Sequence, residues 1–326
     1  MKKIAIELGA VAMLAIGLGG VAQADDAALK GKTVAFVPTS LGYDLTDGWN
    51  AMVRQQLEPL GVKFVVRDPN WSTDAGAQAI TSLISEKPDV LMVQNPDIQS
   101  YARLLKRAED AGIRVVQVNM RSSANTSAFV GADWVGIGES MANAVVQKCG
   151  TKAGKSGKIS IVQGVLTAAA STYQMKGVQN VLARNPDIKV VSNQAADWDA
   201  SKARAVTDTA LKQNADLCGV IGFWDGQDTG TAAAIREAKK QDQVFLVTNG
   251  GAAKTGCANV ANGNFGAYMT YDVKQQSGDL VKVLKTLLAS NARPAADISM
   301  VTPVGVITKA NLRADSCWNL DDYKKK

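Results

Sequence analysis

Short apolar runs rich in Val, Ile and Phe alternate along the chain with longer stretches in which apolar residues recur every three or four positions. The runs predict strands at 33–37, 63–67, 90–94, 114–118 and 128–131, then at 158–163, 189–194, 219–223, 244–248 and 266–270. Their nearly unbroken apolar character suits parallel sheets covered by helices on both faces. The stretches between them predict helices at 47–60, 74–86, 99–111, 135–148, 172–184, 200–213, 228–240 and 274–289. In the first of these, Trp49, Met52, Val53, Leu57 and Leu60 fall on one face. The order βαβαβ, given twice, predicts the α/β class: two doubly wound lobes. A last extended segment at 297–307 either extends the second lobe or crosses back to the first. Lobes joined by several crossing strands form a hinged clam, and the carboxyl ends of their strands, where open α/β sheets bind ligands, face each other across a cleft.

Composition narrows the chemistry. The chain has 326 residues, 46% apolar and 20% charged, ordinary for one large or two average globular domains. Its net charge of +6 is scattered, with one dense basic run at 324–326 and no basic, aromatic-interleaved face, so nucleic acid is not an expected partner. There is no histidine, which removes Ser-His-Asp and Cys-His nucleophile activation and His-ligated zinc. Residues 1–24 read as a signal peptide: Lys2-Lys3, an apolar stretch at 10–18, then Ala22-Gln23-Ala24 as an A-x-A cleavage site. That stretch is too short and too glycine-rich to span a bilayer, so export to the periplasm is expected. Cys149, Cys218, Cys257 and Cys317 are even in number and lack C-x-x-C spacing, suggesting two disulfides of open connectivity rather than a zinc or redox site. The run 150–156 resembles a phosphate loop but is one residue short and precedes a strand, and Gly136-Ile137-Gly138 lacks its third glycine, so nucleotide binding is not supported.

Three phrases, Gly131-Ala132-Asp133, Ala196-Asp197-Trp198-Asp199 and Trp224-Asp225-Gly226, in this order and spacing and behind a signal peptide, carry a resemblance. From about Lys32 to Lys309 the chain resembles the ribose-type periplasmic binding proteins of bacterial sugar and polyol ABC importers. The resemblance implies a type I periplasmic-binding-protein fold with a three-strand hinge near 131–133, 270–272 and 301–303. The lobes would be 27–131 with 272–301, and 132–271 with 302–326. All four cysteines then belong to the second lobe, with the pairs Cys149–Cys218 and Cys257–Cys317. It also implies a monomer that binds a small sugar or polyol without catalysis or cofactor and hands it to a membrane permease. A sensory module that reports the same ligand to a membrane receptor or kinase is the alternative.

The family's ligand positions map onto this chain one by one. After the first strand, Thr39 and Tyr43 are candidates, with Thr46 after them; Thr46 and Asp47 are also N-cap candidates. Where relatives carry an Asp-Arg pair, this chain has Asn119-Met120-Arg121, an amide in place of the acid and the arginine one residue late. At the start of the second lobe's first helix relatives supply an arginine; here the stretch is Ala170-Ser171-Thr172-Tyr173-Gln174, in which Ser171 and Thr172 are also N-cap candidates. Trp198 takes the place of the family's aromatic, an indole suited to the C–H face of a sugar. Trp224 stands where many relatives have Asn, Asp225 follows as in the family, Asn249 replaces an Asp, and Tyr271 replaces a Gln. These exchanges imply a pocket less charged and more aromatic than a ribose site, for a neutral ligand with fewer hydroxyls, or for a cation held by rings and Asp225. Trp49 on a helix's apolar face, Trp134 at the start of a helix beside the hinge and Trp318 packed against Cys317 are expected to be structural, and Trp71, a loop aromatic at the first lobe's rim, is within reach of the cleft.

Overall fold

The computed structural model describes residues 26–290 and 292–324. The signal peptide expected at 1–24 lies outside them. The first sheet contains β1 (Thr33–Val37), β2 (Lys63–Val66), β3 (Val90–Val93), β4 (Arg114–Asn119) and β5 (Ala128–Ala132). The second contains β6 (Lys158–Gln163), β7 (Lys189–Ala195), β8 (Gly219–Gly222), β9 (Phe245–Gly250) and β10 (Ala267–Thr270). Two late strands complete them, β11 (Ile298–Thr302) beside β5 and β12 (Gly305–Ile307) beside β10. The sheet orders are β11-β5-β4-β3-β1-β2 and β12-β10-β9-β8-β6-β7, the same arrangement twice. Every pairing is parallel except that of β12 with β10.

Both faces of each sheet are covered, and this is why the strands read as continuous apolar runs. In β1, Val34 and Phe36 join one core cluster while Ala35 and Val37 join another on the opposite face. The covering helices are α1 (Asp44–Leu57), α2 (Thr73–Glu86), α3 (Ala102–Asp110), α4 (Trp134–Cys149), α5 (Ala169–Leu182), α6 (Ala200–Gln213), α7 (Asp225–Glu237), α8 (Lys254–Ala261) and α9 (Val273–Ala289). No described helix is long and apolar enough to cross a membrane.

The chain passes between the sheets after β5, after β10 and after β11. At the first two crossings an aspartate starts the next helix at once: the Asp133 carboxylate accepts from the Gly136 N–H, and Asp272 accepts from the Lys274 and Gln275 N–H groups. Helix α4 therefore packs with the second lobe and α9 returns to the first, where the Trp49 indole N–H donates to Gln276.

Cys149 is bonded to Cys218 and Cys257 to Cys317. Two boundaries differ from the sequence reading. Thr302 belongs to β11, in register with Ala132, so the third crossing lies at 303–304 rather than 301–303. The tail is not purely second-lobe either. Cys317 anchors it there, but Trp318 lies over Gly48 of α1 and the turn Leu320–Asp322 packs on that helix. Helix α8 carries no sequence expectation; at eight residues it is too short to give a clear periodic signal.

Candidate functional site

A cavity of about 540 Å³ opens between the lobes at the carboxyl ends of both sets of strands. The loop after β1 turns at Gly42, in the left-handed region at φ 90°, and leaves Tyr43 extended at the head of α1. The Thr39 hydroxyl lies 2.9 Å from the Tyr43 hydroxyl and donates to Gln94 Oε1 at 3.0 Å, so a hydroxyl, a phenol and an amide meet on one wall. Burial pushes the Tyr43 phenol up to about 12, so it stays protonated and able to donate. At the end of β4, Asn119 lines the same wall in a left-handed conformation, φ 61°; its carbonyl accepts from the Trp134 indole at 2.9 Å.

The opposite wall is mostly rings. Trp198 follows β7, its backbone N–H held by the buried Gln227 side chain at 3.0 Å. Gly164 makes room for it: a methyl group there would sit 2.1 Å from the indole. Trp224, ahead of α7, stands edge-on to both Tyr43 (5.5 Å, 74°) and Trp198 (6.4 Å, 84°), so three rings meet as adjoining walls of a box. Tyr271 meets Trp134 at 5.0 Å on the hinge side, and burial raises its phenol well above the ordinary tyrosine value. Phe223, Val165 and Ala170 complete an apolar floor.

Of the positions the resemblance nominates, Thr39, Tyr43, Asn119, Trp198, Trp224 and Tyr271 line this cavity. The others lie elsewhere. Thr46 is buried in the first turn of α1 with its hydroxyl toward the Tyr43 carbonyl, and Asp47 is inside that helix, accepting from Gly42 N–H, so neither is the N-cap. Arg121 lies outside, bonded to Ser299 and stacked on Phe129 at 4.3 Å. Helix α5 begins at Ala169, earlier than the periodicity suggests, so Ser171 and Thr172 fall inside its first turn rather than at its cap; Thr172 bonds the Leu166 carbonyl, and Tyr173 points outward, 42% exposed. Gln174 and Asn249 bond each other at 2.7 Å under the floor.

Asp225 faces a separate cavity of about 170 Å³, bounded also by Asp44 and Thr255, and accepts from the Tyr268 hydroxyl at 2.6 Å. Burial pushes Asp225 up to about 6. The neighbouring Asp228, fully buried, rises to about 7, although Thr248 and Thr231 both donate to it.

The lining also contains residues that no sequence pattern singled out. Gln94, Asp97 and Tyr101 come from the turns after β3, and Lys202 comes from the start of α6, beside Asp199 of the Ala196–Asp199 phrase. Only the convention that ligands sit beyond strand ends could have pointed to Gln94. Among the described residues no cluster of His, Cys, Asp or Glu could hold a metal ion.

A family model for the periplasmic binding protein domain matches residues 34–292. A D-allose-binding periplasmic protein of Escherichia coli is 28% identical over 131 residues, 40% of this chain and 41% of the relative. A ribose import binding protein of Bacillus subtilis is 23% identical over 189 residues, 58% of this chain and 60% of the relative. The chain thus spans about half the length of these curated relatives. Among solved structures, an ABC transporter solute-binding protein of Burkholderia graminis in complex with D-arabinose superposes with a TM-score of 0.79 at 22% identity, covering 88% of this chain and 99% of that one.

Proposed function

The chain belongs to the periplasmic binding protein domain family, and from that premise we propose that it captures a small neutral sugar or polyol between its lobes and delivers it to an ABC permease. The observation that carries this reading is the cavity itself. It is walled from both lobes by rings suited to C–H faces, with Thr39, Gln94 and Asn119 supplying hydroxyl and amide groups for ligand hydroxyls. No arginine lines it, and the lysine that does, Lys202, is bonded to Asp197 at 2.8 Å, which favours a solute without a formal negative charge. The sugars of the relatives, D-allose, ribose and D-arabinose, are of this class.

The family consists of substrate-binding proteins rather than enzymes. Binding would do no covalent chemistry here: a solute touching both walls stabilises the closed arrangement because only that arrangement offers it both sets of contacts. The place of work would be the periplasm, with the permease as partner.

A thermal-shift screen across pentoses, hexoses, deoxysugars, pentitols and inositols tests the proposal. A solute at a hundred times its dissociation constant should stabilise the chain by about 2.7 kcal/mol. In calorimetric titration with the best solute, Trp198→Ala should weaken binding at least tenfold, about 1.4 kcal/mol. Unchanged affinity would refute this site. A screen without a hit, or a best solute recovered chemically altered, would refute the function.

A further inference from the structure

The shared sheet order pairs β2 with β7, and the loops that follow them turn out to be built alike. In the first lobe the chain reads Asn70-Trp71-Ser72 and enters α2. In the second it reads Asp197-Trp198-Asp199 and enters α6. In each, the last residue is the helix N-cap: Ser72 Oγ accepts from Ala75 N–H, and Asp199 Oδ1 from Lys202 N–H. In each, the two residues before the cap are left-handed, with φ of 48° and 66° at Asn70 and Trp71, and 52° and 65° at Asp197 and Trp198. Asn and Asp tolerate that region; a tryptophan there is an outlier that only its surroundings can enforce.

The enforcement is visible. Trp71 N–H donates to the Thr39 carbonyl at 2.9 Å, and Asp68 accepts from both Asn70 and Leu41 N–H groups. Trp198 N–H is held by Gln227. Both indoles line the main cavity. Trp71 stacks on Tyr43 at 5.2 Å and 20°, which joins it to the ring series Tyr43, Trp224, Trp198. Its own indole is 50% exposed. A strained backbone that holds a large apolar side chain half in water contributes little to the core. The placement of the pair explains it better. The crossings between lobes leave from β5, β10 and β11, at one edge of each sheet, while β2 and β7 form the opposite edge. Trp71 and Trp198 therefore stand one from each lobe at the side of the cleft farthest from the hinge.

We propose that Trp71 and Trp198 form a paired indole gate at the cleft mouth, with Trp71 a solute-contacting residue of the first lobe matched to Trp198 in the second. The pair covers a carbon-rich face of the captured solute on the side where bulk water would otherwise enter. This rests on the sugar or polyol reading of the same cavity.

The test compares Trp71→Gly, Trp71→Phe, Asn70→Gly and Trp198→Ala by calorimetry with whichever of D-arabinose, ribose and D-allose binds the natural chain best. Glycine relaxes the left-handed backbone while deleting the ring. Trp71→Gly should therefore lose at least fivefold in affinity at an unchanged or raised melting temperature. Trp71→Phe should recover most of that loss, and Asn70→Gly should bind as the natural chain does. A Trp71→Gly chain that binds normally while Trp198→Ala does not would overturn the gate and leave the function standing. A fall in melting temperature for Trp71→Gly would make Trp71 scaffold and overturn it too. If the natural chain binds none of the three, the best solute of the thermal-shift screen takes their place; a screen without a hit fails the sugar or polyol reading, and the gate with it.

Discussion

Residue by residue, the cavity is a wall of rings placed by uncommon backbone. Asn119, Trp71 and Trp198 all have positive φ, and each is held by a hydrogen bond to a neighbouring element: Trp134 of α4, the loop after β1 and Gln227 of α7. Behind the rings lie two carboxylates that desolvation holds near pH 6 and 7, Asp225 and Asp228. An unfolded carboxylate titrates near about 4, so the folded chain binds these protons more tightly than the unfolded chain does. Their contribution to stability is therefore complete below about pH 4 and is lost as pH rises towards about 7. Melting temperatures taken across that range should fall less steeply for Asp228→Asn than for the natural chain; parallel slopes would refute the assignment. Positions just beyond a strand end, such as Thr39, Asn119 and Trp198, were legible because the strand itself was legible. Arg121 falls outside the cavity because the sequence does not fix which way a loop turns, and Thr172 because α5 begins at Ala169, three residues before its periodicity suggests. Arg121 turned out to stack on Phe129 and Thr172 to sit inside α5.

At the level of elements, the inner strands of the two βαβ series were readable because both their faces are buried, while the edge strands β2 and β7 are partly exposed and carried only short valine-rich runs. Helix starts were less readable, and for a consistent reason. Helices α1, α5 and α7 begin after Tyr43, Ala168 and Trp224, none of which makes a side-chain cap bond. A reading that waits for Ser, Thr, Asp or Asn starts these helices about a turn late. The helices that do follow the rule, α2, α4, α6 and α9, are capped by Ser72, Asp133, Asp199 and Asp272. Helix α8 owes its place to its tie to the tail. The bridge Cys257–Cys317 links residues 60 apart, a constraint worth about 4 kcal/mol on the chain-entropy account. Replacing both cysteines by serine should lower the melting temperature by several degrees and increase deuterium uptake at 317–323; an unchanged exchange pattern would show that Trp318 holds the tail alone.

Across the whole molecule, the lobes also touch directly. The Ile98 N–H donates to the Thr167 carbonyl at 3.2 Å, and the Thr255 hydroxyl donates to Asp44 at 2.6 Å. The second bond exists only while the lobes stand this close, so it biases the open–closed equilibrium and thereby the apparent affinity. Thr255→Val should weaken solute binding by a few-fold without touching the cavity, and small-angle scattering should find the solute-free variant more open; an unchanged profile would refute this. One feature of the topology bears on the order in which the protein can be made. The first lobe draws its sheet from residues 33–132 but its helix α9 and strand β11 from 273–302, on the far side of an entire second lobe. A nascent chain therefore presents the bare flank of β5 and the uncovered Trp49 face of α1 until almost all of the polypeptide has emerged. The half whose synthesis begins first thus cannot close its core until residues 273–302 have followed the whole βαβ series of the other.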